Sequence, residues 1–201
     1  MRLAIIDLGT NTFNLLIAET HADGSYRVIF KTKVASKLGE GGINEGIIRP
    51  PAFQRGIDAL KGYKIKMEEL GVQTIYAFAT SAIRSASNGS DFVQAVKEQT
   101  GIEIKVISGD REAELIYYGV RKAVHMQESY SLIMDVGGGS TEFIIANKHR
   151  IIWKQSFNLG AARLLARFHE SDPITIVEIE RLRAYLLKEL LPLFDAVRQF
   201  P

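Results

Sequence analysis

Leu132-Ile133-Met134-Asp135-Val136-Gly137-Gly138-Gly139-Ser140-Thr141-Glu142-Phe143-Ile144-Ile145-Ala146 reads as a buried strand, a turn and a second strand. An apolar run ends in a carboxylate, three glycines allow a tight turn with positive φ, and Phe143-Ile144-Ile145 resumes the strand pattern. Glycines at such a turn also admit close approach of a ligand. Successive main-chain N–H groups there form a concavity for an anion, to which Ser140 and Thr141 add hydroxyl donors. Glycine-rich hairpins arise for turn geometry alone as well, so this segment by itself leaves both readings open.

The start of the chain shifts the balance. Moved along itself by 128 positions, the sequence lays Ile6-Asp7-Leu8-Gly9-Thr10-Asn11-Thr12-Phe13 on Met134-Asp135-Val136-Gly137-Gly138-Gly139-Ser140-Thr141 without a gap. The alignment continues to Ile17-Ala18 on Ile145-Ala146, and most apolar positions stay apolar. The chain therefore reads as two copies of one unit.

Bulk properties narrow the class. With 201 residues, 46% of them hydrophobic, there is enough chain for one large or two small globular domains. A formal net charge of +2, with both signs interspersed, leaves no footprint of a dedicated nucleic-acid binder. Cysteine is absent, which excludes disulfides and thiolate metal sites. No export signal or membrane-length apolar run is visible, so a cytoplasmic protein without a membrane partner is expected.

In chain order, the first copy opens with a three-stranded antiparallel meander, its second hairpin turning at Asp23-Gly24. Residues 37–46, with four glycines around Glu40, read either as a loop near the first turn or as a plain connector. Pro50-Pro51 starts a helix carrying Phe53, Ile57, Leu60, Met67 and Leu70 before Gly71 stops it. A buried strand over residues 72–79 leads into a turn at residues 80–89, whose Arg84 reads equally as a phosphate clamp through its planar fork and as a solvated surface residue. A helix over residues 91–99 and a strand over residues 102–107 follow. Ser108 or Asp110 caps a helix running to about residue 124, and of Glu112 and Glu114 at most one should point at a ligand, since two positions apart on a helix means different faces. This helix is expected to carry the chain from a first lobe, residues 1–124, to a second, residues 125–201. The second copy repeats strand, glycine turn and two strands, then a helix through residue 168. A last helix from Asp172-Pro173 runs into the tail with Ile176, Ile179, Leu182, Leu186, Leu187 and Leu190 on its apolar side. Trp153 reads as core, and the four histidines show no metal-ligand spacing.

Two such meanders facing one another would grip one phosphate group between their Asp-x-Gly turns. Asp7 and Asp135 beside a negative substrate call for a cation between them, and oxygen ligands of this kind suit Mg2+ with waters retained. Glu142 is placed to join them. The arrangement suits phosphoryl transfer, in which enzymes chiefly position groups and neutralise charge.

Five motifs carry a resemblance. Asp7-Leu-Gly-Thr-Asn-Thr-Phe, Leu38-Gly-Glu-Gly, Ala79-Thr-Ser-Ala-Ile-Arg84, Val106-Ile-Ser-Gly-Asp-Arg-Glu112-Ala and Asp135-Val-Gly-Gly-Gly-Ser-Thr-Glu142 together resemble the exopolyphosphatase and guanosine pentaphosphatase family. That family belongs to the superfamily of sugar kinases, heat-shock ATPases and actin. The resemblance implies an α/β, actin-like (ribonuclease H-like) fold of duplicated lobes, each a mixed sheet opening with the meander. It further implies hydrolysis of a terminal phosphoanhydride of linear polyphosphate or pppGpp. By the family's pattern Glu112 is the general base. Asp7, Asp135 and Glu142 hold a divalent cation, and Gly9, Thr10, Asn11, Thr12, Gly137, Gly138, Gly139, Ser140 and Thr141 hold phosphates with Arg84 as clamp. Thr10 and Thr12 stand where serines are frequent, which keeps the hydroxyl. Arg111 stands where the family is often acidic, leaving Glu112 as the one carboxylate of that pair.

The second copy is shorter than the first, and after the long helix no strand follows. The expectation is therefore a second lobe cut short, with a homodimer or strand exchange covering its exposed edge. Two alternatives stay open at this stage: an ATP-dependent small-molecule kinase of the same superfamily, and a non-catalytic module that binds polyphosphate or pppGpp.

Overall fold

The computed structural model describes residues 1–200, which divide into two compact units, residues 1–107 and 108–200. In the first, β1 (Arg2–Leu8), β2 (Phe13–Thr20) and β3 (Tyr26–Val34) form the antiparallel meander. The chain continues through α1 (Pro50–Glu69), β4 (Thr74–Ala79), α2 (Ser81–Ser85), α3 (Gly89–Thr100) and β5 (Ile104–Val106). The sheet order is β3-β2-β1-β4-β5, with β4 parallel to both β1 and β5. Alternation sets the faces: Ala4, Ile6 and Leu8 enter the core, while Ile5 and Asp7 point to the opposite side. Helix α1 covers the core face with Ile57, Leu60, Tyr63 and Met67, three and four residues apart, and α3 adds Phe92 and Val96. The two helices meet closely because Gly56 has no side chain; a Cβ there would lie 2.8 Å from the Phe92 ring.

The second unit begins with α4 (Gly109–Ala123) and continues as β6 (Ser131–Val136), β7 (Thr141–Ala146) and β8 (Ile151–Phe157), an antiparallel sheet in that order. Helices α5 (Ala161–Phe168), α6 (Ile176–Glu189) and α7 (Leu191–Gln199) follow. Strand β7 is covered on both faces and wholly buried. On one side Ile144 and Ala146 pack with Ala113 and Tyr117 of α4; on the other Phe143 packs with Phe157, Leu159 and Leu193. Trp153 lies against this second cluster, as a core residue should.

The internal repeat holds at the level of single hydrogen bonds. Gly9 N–H donates to Thr12 C=O at 3.1 Å, and Gly137 N–H donates to Ser140 C=O at 3.0 Å, 128 positions later. Asp7 lies opposite Asn14 and Asp135 opposite Glu142. Even the irregularity between the second and third strands recurs, at Ile17/Ala18 and at Ile145/Ala146.

Several local expectations change. Residues 132–135 are not buried: β6 is an edge strand with Leu132, Met134 and Val136 exposed by 51%, 60% and 54%. In the first unit Tyr76 of β4 also reaches solvent, because the sheet face opposite α1 and α3 carries it. The turn after β4 contains the short helix α2. The tail helix is two helices, since Pro192 has no N–H to continue α6 and instead occupies the first turn of α7. Its supposed apolar side is split, with Leu186 and Leu190 against the core but Ile176, Ile179 and Leu187 exposed. Finally, the boundary between units falls before α4, ahead of residue 124, because Ala113 and Tyr117 pack on β7 and the Tyr117 hydroxyl donates to Asn147 C=O at 3.0 Å.

Candidate functional site

In the first unit the turn from β1 to β2 comprises Gly9, Thr10, Asn11 and Thr12. Gly9 is not in the left-handed region; it is required because a Cβ would lie 2.8 Å from the Thr12 carbonyl oxygen that its own N–H bonds. Gly137 repeats this, with the Ser140 oxygen 3.0 Å from a Cβ. The expected positive φ is thus replaced by a close-approach requirement, and the reason is the short hydrogen bond that closes each turn.

Both turns are held from behind. Thr10 C=O accepts from Gly39 N–H at 3.2 Å and Asn11 C=O from Lys37 N–H at 2.9 Å, so the glycine-rich loop after β3 does lie at the first turn. Arg55 of α1 fastens that loop, donating to the Ser36 and Lys37 carbonyls and pairing with Glu40 at 2.6 Å. In the second unit Gly137 C=O accepts from Ala161 N–H at 2.9 Å and Gly138 C=O from Ala162 N–H at 2.8 Å, two donors at the start of α5. Gly139 C=O accepts from Arg163 Nε at 2.8 Å. Thr141 Oγ1 donates to Leu159 C=O at 2.9 Å, which commits that hydroxyl hydrogen to the scaffold. Ser140 is buried at the same turn.

Asp7 and Asp135 sit at equivalent strand ends with different neighbours. Asn14 Nδ2 donates to Asp7 Oδ2 at 3.1 Å. Glu142, 2% exposed, stands opposite Asp135 on the same sheet face and accepts from Ser156 Oγ at 2.7 Å. Like charges directly opposite in a sheet repel. The pair offers only oxygen donors, and among the described residues no group of three or more His, Cys, Asp or Glu side chains is arranged to hold a metal. Such a set suits a hard cation held by one or two carboxylates together with phosphate oxygens and water; it does not suit a cage built wholly from protein. Beside Asp7 the open face of the first sheet forms a hollow of about 610 Å³ lined by Asn14, Leu16, Lys31 and Lys33. Beneath it, burial and then the Asp7 charge push the Tyr63 hydroxyl up to about 12, keeping it a donor to Phe13 C=O at 2.7 Å.

Arg84 lies on α2 and donates from one guanidinium nitrogen to Ile107 C=O at 3.0 Å. Glu112 is half-buried in the first turn of α4, whose N-cap is Ser108, its Oγ accepting from Arg111 N–H at 3.1 Å. Glu114 is spoken for: it pairs with Lys154 and, at 2.8 Å, with Arg111, and hydrogen bonds from those two cations hold its carboxyl below the usual range. Glu114 is thus held in place by two cations. Arg163 and Lys154 were missed by sequence reasoning. Arg163 follows the helix start at Ala161 by two residues, a position from which a long donor can reach back to the preceding turn.

The family described as Ppx/GppA phosphatase matches residues 16–200. A bifunctional 3-dehydroquinate synthase/phosphatase of Fusobacterium nucleatum is 36% identical over 172 residues, covering 82% of this chain and 26% of that protein. Exopolyphosphatase 1 of Mycobacterium bovis is 30% identical over 190 residues, covering 94% of this chain and 55% of that one. The crystal structure of an exopolyphosphatase from Cytophaga hutchinsonii superposes with a TM-score of 0.96 at 42% identity, covering 100% of this chain and 64% of that chain. The chain thus spans about half the length of the Mycobacterium relative and about a quarter of the Fusobacterium one. The fold is the actin-like, mixed α/β one that the family resemblance implies. No helix among the described residues is long and apolar enough to cross a membrane.

Proposed function

The chain belongs to the Ppx/GppA phosphatase family, and on that premise we propose that it releases terminal orthophosphate from linear polyphosphate, from pppGpp, or from both. The observation that carries the reading is the pair of equivalent Asp-x-Gly turns, each with its carbonyls tied to the segment behind it. Planarity of the trans peptide sets each N–H opposite its carbonyl, so donors accumulate on the side away from that segment. Residues Gly9 to Thr12 and Gly137 to Thr141 form the phosphate-binding turns, and Arg84 adds positive charge.

Glu112 accepts a proton from water as the water oxygen attacks the terminal phosphorus; the bond to the bridging oxygen breaks, giving orthophosphate and a shortened chain. Asp135 and Glu142, with Asp7, are the residues that would hold a divalent cation such as Mg2+, which when bound offsets phosphate charge. Ser156 orients Glu142, and Lys154 together with Arg111 keeps Glu114 out of the reaction. Arg111 pairs with Glu114.

Phosphate release from polyphosphate and from pppGpp, each with and without Mg2+, tests the reading. Glu112→Gln is expected to lower turnover by about 100-fold or more, the usual contribution of a positioned base. An unimpaired Glu112→Gln protein would remove Glu112 from that role. Binding of either substrate without turnover would replace the hydrolase by a binding module, and transfer from ATP to a sugar would replace it by a kinase.

A further inference from the structure

Three consecutive carbonyls of the second turn are held by donors from one segment: Gly137 by Ala161 N–H, Gly138 by Ala162 N–H and Gly139 by Arg163 Nε. The first two donors are main-chain groups that any non-proline residue supplies. The third is a side chain, and it fixes the peptide between Gly139 and Ser140. At the equivalent place in the first unit, Asn11 C=O is held by a main-chain donor, Lys37 N–H. The second turn thus replaces a backbone donor by an arginine. Contact at the turn is close: a Cβ on Gly160 would lie 2.4 Å from Gly138 and Gly139 backbone atoms, so the segment and the turn are packed together at this point. A glycine pair otherwise has wide conformational freedom, and a peptide between Gly139 and Ser140 with its carbonyl unheld could turn over.

We infer that Arg163 is a positioning residue for the second turn: by holding the Gly139 carbonyl, its Nε directs the Ser140 N–H to the opposite side and completes a run of three N–H groups, those of Gly138, Gly139 and Ser140, for one phosphate. The inference rests on the phosphate-binding reading of this turn. It assigns Arg163 a role through its donor at Nε, separate from whatever its charge contributes.

Side-chain chemistry separates the two contributions. Glutamine carries an N–H donor at the same number of bonds from the backbone as arginine Nε but no charge. Methionine has similar length with neither, and lysine keeps the charge while moving the donor outward. The test uses the 201-residue protein, inorganic tripolyphosphate as probe, and the amide and carbonyl NMR signals of residues 137–140. Wild type and Arg163→Gln are expected to bind with affinities within about threefold of one another, and Arg163→Met about tenfold more weakly, as loss of one hydrogen bond to a charged ligand's donor set predicts. In the free protein the Gly139 carbonyl signal should move in Arg163→Met and remain near its wild-type position in Arg163→Gln. If Arg163→Gln and Arg163→Met lose affinity alike while Arg163→Lys keeps it, the charge acts directly and the positioning role is overturned. If the turn signals of the wild type do not respond to tripolyphosphate at all, the phosphate-binding reading falls, and this inference with it. An unmoved Gly139 carbonyl in Arg163→Met overturns the positioning role independently of any ligand. Thermal unfolding of each variant identifies a loss of affinity that comes from a loss of fold.

Discussion

Gly160 is the residue at which the second turn tolerates least. A methyl group there would meet Gly138 and Gly139 main-chain atoms at 2.4 Å, and backbone cannot yield as a flexible side chain does. Gly160→Ala is expected to destabilise the protein by about 3 kcal/mol or more, at the upper end of overpacking costs, read from urea unfolding. Gly62, with open space around its Cβ position on α1, is the matched control; Gly62→Ala should be neutral or stabilising. The glycines were visible in the sequence, but the reason for them was not. A string of glycines suggests positive φ, whereas Gly9 and Gly137 are needed because each lies against the carbonyl that closes its own turn. Arg163 was illegible for a related reason: its partner is a main-chain oxygen 24 residues away, and carbonyls leave no trace in residue identity.

Among the elements, α6 carries the most marked carboxylate outside the turns. Glu178 forms a capping box with Thr175 and also accepts from the Glu170 and Ser171 N–H groups, at 2.7 and 2.9 Å, and from the Ser171 hydroxyl. Hydrogen bonds from Ser171, then Thr175, hold its carboxyl far below the ordinary value of 4.5. A lowered folded-state pKa contributes stability that is present above the unfolded value and disappears as pH falls through the folded one. The stability gap between wild type and Glu178→Gln is therefore expected to be constant above about pH 6 and to narrow below about pH 4.5, followed by urea midpoints across that range. A gap that persists unchanged to pH 3 would show that the charge is not what the box requires. Thr175 with a glutamate three residues on is a capping-box pattern, yet the sequence reading started this helix at Asp172-Pro173, ahead of the cap. Elements whose surroundings are set from afar were less legible. The apolar residues of β6 and β7 look alike, yet β7 is covered on both faces while β6 lies at an edge with every side chain but that of Ile133 exposed.

For the whole molecule, duplication was the most legible property because it acts through backbone register, which residue pattern encodes directly. The recurring turn bond and the recurring irregularity after Ile17 and Ile145 show that the repeat extends to main-chain detail. The division into units was less so, since a helix between two copies has no periodicity to say which sheet receives it; α4 gives Ala113 and Tyr117 to the second. The core of the first unit, from Ile6 and Leu8 through Ile57 and Leu60 to Phe92, is drawn entirely from residues 1–107. A chain of those residues alone is expected to fold and to lose near- and far-ultraviolet circular dichroism in one cooperative urea transition. Non-coincident transitions, or no near-ultraviolet signal, would show that the second unit is needed.

The donors that shape each turn come from well beyond it in sequence: Lys37 and Gly39 for the first, Ala161 to Arg163 for the second. A hairpin alone, even with its strands correctly paired, lacks them. Closing that longer loop costs entropy before any contact is gained, so the turns acquire their final shape only when the third strand has docked and the chain has doubled back. The final shape of each turn should therefore appear late in refolding and all at once, with no half-formed hairpin holding it on the way.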